Sequence, residues 1–163
     1  MKLTKGLGAA LVALMLTAGS AQAANIVQTA AKAGKFNTLI AAAKAAGLAG
    51  ALSHKAPLTV FAPTDAAFDR LPAGTVENLL KPENRDKLAA ILAYHVVPKR
   101  ITSKQIPRGR TDVTSLNGKA RALRVRKNNN RVRVNRARVV SADIHASNGV
   151  IHVIDRVLIP RGQ

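Results

Sequence analysis

From Leu123 to Val134 the chain alternates apolar with basic residues: Leu123, Val125, Val132 and Val134 against Arg124, Arg126, Arg131 and Arg133. A period of two sends successive side chains to opposite faces of a strand. This stretch must therefore lay one face on a core and hold a row of arginines on the other. Asn128-Asn129-Asn130 separates the two runs, and asparagine tolerates the positive φ of tight hairpin turns. A hairpin closed at Asn128-Asn129 sets Val125 against Val132 and Leu123 against Val134 inside. The same register sets Arg126 against Arg131 and Arg124 against Arg133 outside. Like charges directly opposite destabilise a sheet, and a merely solvated strand more naturally mixes Lys with Glu or Thr. The pattern points to a polyanion-binding face, extended by Arg136 and Arg138; the competing reading is a solubilising charged strand.

The rest of the chain supplies the partners for that hairpin. Two more strands are expected, roughly 137–144 and 150–157, with Asn148-Gly149 as the hairpin signal between them. The N-terminal half has helical period instead. Asn25 with Gln28 forms a capping box and Gly34 a stop. Phe36, Leu39, Ile40 and Ala43 recur at helical spacing up to Gly47. Leu58 to Phe61 reads as a buried strand ending at Pro63, after which Thr64 or Asp65 caps a helix carrying Phe68. Thr75 opens a short helix, and Pro82-Glu83 starts a longer one whose buried face holds Leu88, Ile91 and Leu92. Helices first and strands afterwards, around one core, indicate an α+β domain without internal repeat.

Residues 1–23 read as a signal peptide: Lys2 and Lys5, an apolar run from Leu7 to Ala18, then the small-x-small site Ala21-Gln22-Ala23. Cleavage after Ala23 leaves residues 24–163 as a single domain, of a size that buries a real core. An exported chain with no cysteine must be stable through packing and hydrogen bonds alone. Its aromatic side chains are Phe36, Phe61, Phe68 and Tyr94, so the core is aliphatic. That scarcity counts against carbohydrate stacking and against base stacking. The formal charge is +18 at pH 7, or +16 without Lys2 and Lys5. Residues 99–138 hold fourteen Lys and Arg against one acid, Asp112.

Three motifs in order carry a family resemblance: TVFAPTDAAF from Thr59, Tyr94-His95-Val96-Val97, and NGVIHVIDRVLIP from Asn148. Together, over about Asn25 to Pro160, they closely resemble the fasciclin domain family. The resemblance implies a β-wedge or sandwich with helices packed along one edge, secreted or held at a cell surface and used mainly for adhesion and matrix contact. It implies structural or adhesive roles for Thr64, Asp65, Tyr94, His95, His152 and Asp155. In animal members the Tyr-His region takes part in integrin contact; here the apolar flanks Ile91, Leu92, Val96 and Val97 suggest a core tyrosine with its hydroxyl paired.

Some residues also admit a catalytic or a metal reading. Asp65 and His95 with Ser103, Ser115 or Ser141 would make a triad on paper, but no G-x-S-x-G elbow is present. The competing reading has Asp65 capping a helix and His95 in a buried hydrogen bond. His145 and His152 flank the Asn148-Gly149 turn with Asp143 and Asp155 nearby, a set that suits a metal; the resemblance instead gives His152 and Asp155 to folding. The expectation is no enzyme, no metal and no cofactor. The expected function is an exported adhesion or surface-interaction module. Its partners would be anionic polysaccharide, lipopolysaccharide, an anionic membrane surface, extracellular DNA without sequence specificity, or other cell-surface proteins. The alternative is a small-ligand carrier or envelope stress protein with a basic solubilising surface. The compartment is periplasmic or extracellular.

Overall fold

The computed structural model describes residues 24–53 and 57–160; the expected signal peptide lies outside them. Six helices and seven strands follow one another as α1 (Ile26–Ala33), α2 (Asn37–Ala45), α3 (Ala49–Leu52), β1 (Leu58–Pro63), α4 (Asp65–Asp69), α5 (Thr75–Leu79), α6 (Arg85–Tyr94), β2 (Val96–Val97), β3 (Gly109–Val113), β4 (Leu123–Asn128), β5 (Arg131–Val134), β6 (Ala137–Ala146) and β7 (Gly149–Ile154). The strands form one mixed sheet in the order β2-β1-β7-β6-β5-β4-β3. β1 and β7 run parallel, and the other pairings are antiparallel. The α+β expectation holds. The short helix α3 and the strands β2 and β3 had no sequence signal strong enough to expect them.

Two apolar clusters explain why β1 and β7 are buried at every position. Val60 and Ala62 of β1 with Ile151 and Val153 of β7 face the helices, meeting Ile26, Phe36, Leu39, Phe68, Leu88 and Leu92. The alternate residues Phe61 and Ile154 face a second cluster with Leu123, Val125, Val132 and Val134 of the arginine-bearing hairpin. A sheet whose first and sixth strands share a core is curled on itself, which gives the wedge. Covered on both faces, a parallel strand pair is continuously apolar instead of alternating.

Local chemistry sets the junctions. Asn25 and Gln28 make the expected capping box, and Gly34 ends α1 at φ 69°. Gly149 has another purpose: a Cβ there would stand 2.0 Å from the Leu58 carbonyl oxygen, so only glycine lets β7 start this close to β1. The turn before it therefore consists of Ser147 and Asn148, with Ala146 opposite Gly149, and not of Asn148-Gly149. Asn148 accepts from the Ile26 N–H at 2.9 Å and donates to the Leu52 carbonyl at 2.7 Å, tying the turn to α1 and α3.

Candidate functional site

The hairpin register differs from the sequence expectation by two residues. Asn128 stands opposite Arg131, so Asn129 and Asn130 make the turn, Asn129 at φ 53°. Val125 faces Val134, and Arg126 faces Arg133 and not Arg131. A slip of two keeps every side chain on its expected face but changes its neighbours. Arg124 consequently meets Asn135, whose side chain accepts the Arg124 N–H at 2.9 Å. Lys127, opposite Val132, falls on the inner face, where its Nζ reaches the carbonyls of Ser103 and Ile106 at 2.6 and 3.2 Å.

The sheet then builds a row that the hairpin alone does not contain. Arg110 on β3 faces Arg126, Arg126 faces Arg133, and Arg133 faces Arg138 on β6. Four guanidinium side chains thus leave one face at one level. With strands about 4.8 Å apart, the row spans roughly 14 Å. Arg124 and Arg131 flank it, Arg136 sits in the β5–β6 turn, and all are exposed. Among the described residues the ion pairs are Arg110–Asp112 at 3.4 Å and Arg70–Asp155 at 3.5 Å, so the guanidinium groups of Arg124, Arg126, Arg131, Arg133, Arg136 and Arg138 are in no ion pair there. Arg110 escaped the sequence reading because β3 carries no clean alternation.

The residues of the three motifs are structural joints. Thr64 caps α4, accepting the Ala67 N–H at 3.2 Å. Asp65 caps a different helix: it accepts the Thr38 N–H at 2.8 Å and the Asn37 side-chain amide at 3.2 Å, and the N-cap position of α2, Phe36, offers no side-chain cap. Desolvation raises the Asp65 pKa, but the hydrogen bonds from Thr38 and Asn37 outweigh it and leave the carboxyl below its ordinary value. Tyr94 is buried, with its hydroxyl taking the Asn135 amide at 3.0 Å. Asp155 accepts the Arg138 N–H at 2.8 Å.

His95 is buried, its Nδ1–H donated to the Ile91 carbonyl at 2.7 Å and its Nε2 accepting the Leu158 N–H at 2.8 Å. Burial pushes its pKa down to about 4, against the opposing pull of the Ile91 carbonyl. The imidazole is neutral and both nitrogens are occupied. His152 stacks on Phe61 with ring centroids 5.6 Å apart. Its Nε2–H goes to the Ile101 carbonyl at 2.7 Å and its Nδ1 takes the Asp143 N–H at 3.3 Å. His145 stands opposite Val150 and not across from His152. Asp143, at φ 58°, holds the Ser103 hydroxyl and the Ser103 N–H, the latter at 2.7 Å. Ser103, Asp143 and His152 are thus neighbours, yet no histidine nitrogen faces the serine hydroxyl as a general base must.

Two cavities accompany these joints. One, about 40 Å³ and lined by aliphatic side chains with His95 at its wall, lies under α1, α2 and α3; it is packing left by alanine-rich helices. The other, about 240 Å³, lies inside the wedge beneath residues 99–107.

The sequence matches the fasciclin domain model over residues 34–160, and the chain belongs to the fasciclin domain family. It is 54% identical over 148 residues to Protein sll1483 of Synechocystis sp., covering 91% of this chain and 80% of that one. It is 42% identical over 126 residues to the transforming growth factor-beta-induced protein ig-h3 of Sus scrofa, of which it spans 18%. It is 34% identical over 110 residues to a cell surface glycolipoprotein of Mycobacterium tuberculosis, 64% of this chain and 44% of that protein. The FAS1 domain pair of the insect cell adhesion molecule fasciclin I aligns at TM-score 0.48 and 24% identity, over 63% of this chain and 37% of that structure.

Proposed function

We propose that this protein is an exported, non-enzymatic surface-interaction module that holds linear anionic polymers across its outer arginine row. The observation that carries the reading is the cross-strand series Arg110, Arg126, Arg133 and Arg138. Cross-strand like charges cost stability. A row kept at that cost, with only Asp112 among the described residues ion-paired to one of its members, suits a ligand that supplies the missing anions. Arginine forks recognise carboxylates and phosphates bidentately. The non-enzymatic reading rests on His95 and His152, whose ring nitrogens are engaged in structural hydrogen bonds. Adhesion fits a family that includes cell-surface relatives.

The test is retention on immobilised acidic polysaccharide, lipopolysaccharide, DNA and neutral glycan at two salt concentrations. Each cation near an anionic surface contributes about 1 kcal/mol, so four to six acting together support binding between about 1 mM and tens of micromolar. Screening over about 8 Å at physiological salt should weaken it steeply. Retention on the acidic polymers at low salt, lost on replacing Arg124, Arg126, Arg131 and Arg133 with Thr, is the expected result. Equal retention of the quadruple variant, or none by the parent protein, would leave the row a solubilising face.

A further inference from the structure

We propose that the cavity beneath residues 99–107 is a binding site for a small amphiphile with an apolar body and one carboxylate. This goes beyond the arginine row, because the cavity opens on the inner face of the sheet and Arg126 and Arg133 leave the outer one.

The cavity of about 240 Å³ is walled by Phe61, Ile101, Ile106, Val113 and Val125. Its charged lining residues are Lys99 and Arg100, both exposed, with no acidic side chain among them. Apolar walls with a few convergent polar groups are the ordinary composition of small-molecule sites. The volume is at the small end, which suits one short alkyl chain or ring and not a two-chain lipid. The cationic rim selects the sign of the head group. Arg100 is held in place by donating to the Ala146 carbonyl at 3.2 Å, whereas the Lys99 ammonium is available to an anion at the mouth.

What distinguishes this cavity from a packing defect is how its roof is held. Thr59, fully buried, donates its hydroxyl to the Lys99 carbonyl at 2.5 Å and accepts the Ile101 N–H at 2.8 Å. His152 donates to the Ile101 carbonyl at 2.7 Å. Asp143 fixes Ser103, and Lys127 reaches across the inner face to the carbonyls of Ser103 and Ile106. Four polar side chains from β1, β4, β6 and β7 are therefore spent on one segment that crosses the wedge without filling it. Side chains pinned this way keep the cavity open before any ligand arrives, so binding needs little reordering.

Titration of the ¹⁵N-labelled protein with decanoate, decanol, decyltrimethylammonium and acetate tests this by amide shifts. Decanoate should shift Ile101, Ile106, Thr111, Val113 and Val125 saturably, decanol more weakly, and the cation and acetate not at all. Lys99→Ala, at an exposed position, should weaken decanoate about three- to fivefold and leave decanol unchanged. Thr111→Trp should block both, and the Arg124/Arg126/Arg131/Arg133 quadruple Thr variant should still bind decanoate. The proposal is overturned if the cation binds as well as decanoate, if Lys99→Ala changes neither ligand, or if the shifts fall on the outer arginines and vanish in the quadruple variant. That last pattern would leave the arginine row standing as an anion site while removing this one.

Discussion

Protonating His95 would put a second N–H on Nε2, where the Leu158 N–H already points. The ring must therefore stay neutral in the fold, whereas the unfolded chain takes up a proton near pH 6.5. A folded pKa of about 4 means that the stability is fully present above pH 6.5 and is lost as pH falls towards 4. The loss amounts to about 3 kcal/mol, a large share of a domain's usual margin. His152, lowered first by desolvation, acts in the same direction. Urea unfolding from pH 7 to 4 should show this decline, and His95→Ala should cost about 1–3 kcal/mol at pH 7 while flattening the pH dependence. Asp65 acts lower on the scale: its contribution is present above its unfolded pKa near 4 and disappears as the carboxyl protonates in more acidic solution. Asp65→Ala should remove about 1 kcal/mol at pH 7 by uncapping α2, measured by the same unfolding curves, without touching α4, which Thr64 caps.

Within the hairpin the two-residue register difference has a physical origin. Either turn keeps valines inside and arginines outside, so the hydrophobic pattern cannot choose between them. The choice falls to contacts beyond the hairpin. Asn135 locks Arg124 with two backbone hydrogen bonds, one through its side chain. In this cysteine-free chain, Arg126→Cys with Arg133→Cys should form a disulfide readily, while Arg126→Cys with Arg131→Cys should not; mass spectrometry of the oxidised proteins decides it. Arg110, with Arg108 just before β3, guards an edge. β3 ends the sheet, and charged side chains on an edge strand oppose pairing with another copy. Arg108→Thr with Arg110→Val should let the protein self-associate, which sedimentation velocity would detect; a monomer throughout would mean that the edge is guarded by something else.

The whole molecule turns on the β1–β7 pair, which serves two cores at once. β1 and β7 are distant in sequence yet pair in parallel from Leu58↔Gly149 to Pro63↔Ile154, and each core is built on one of their two faces. Gly149→Ala drives a methyl into the Leu58 backbone at the start of this pairing. It should cost about 3 kcal/mol or more, seen as a lowered urea midpoint, and should loosen both cores together. A thermal transition unchanged in Gly149→Ala would mean that the two strands can separate without penalty.

The one-dimensional pattern determined the α+β class, the helix cap at Asn25, a cap at Thr64 or Asp65, and the faces of the arginine strands. All of these are short-range: they depend on residues within a turn or on parity along a strand. The tertiary structure alone decided what meets what. It moved the Asp65 cap to a helix 27 residues away, brought Arg110 into a row with three other arginines, and gave Lys127 the carbonyls of Ser103 and Ile106 as partners. It also gave Gly149 its purpose and opened the cavity under residues 99–107. Each is a meeting of segments far apart in the chain, set by how the sheet curls to bury both faces of β1 and β7, and no local periodicity encodes that curl.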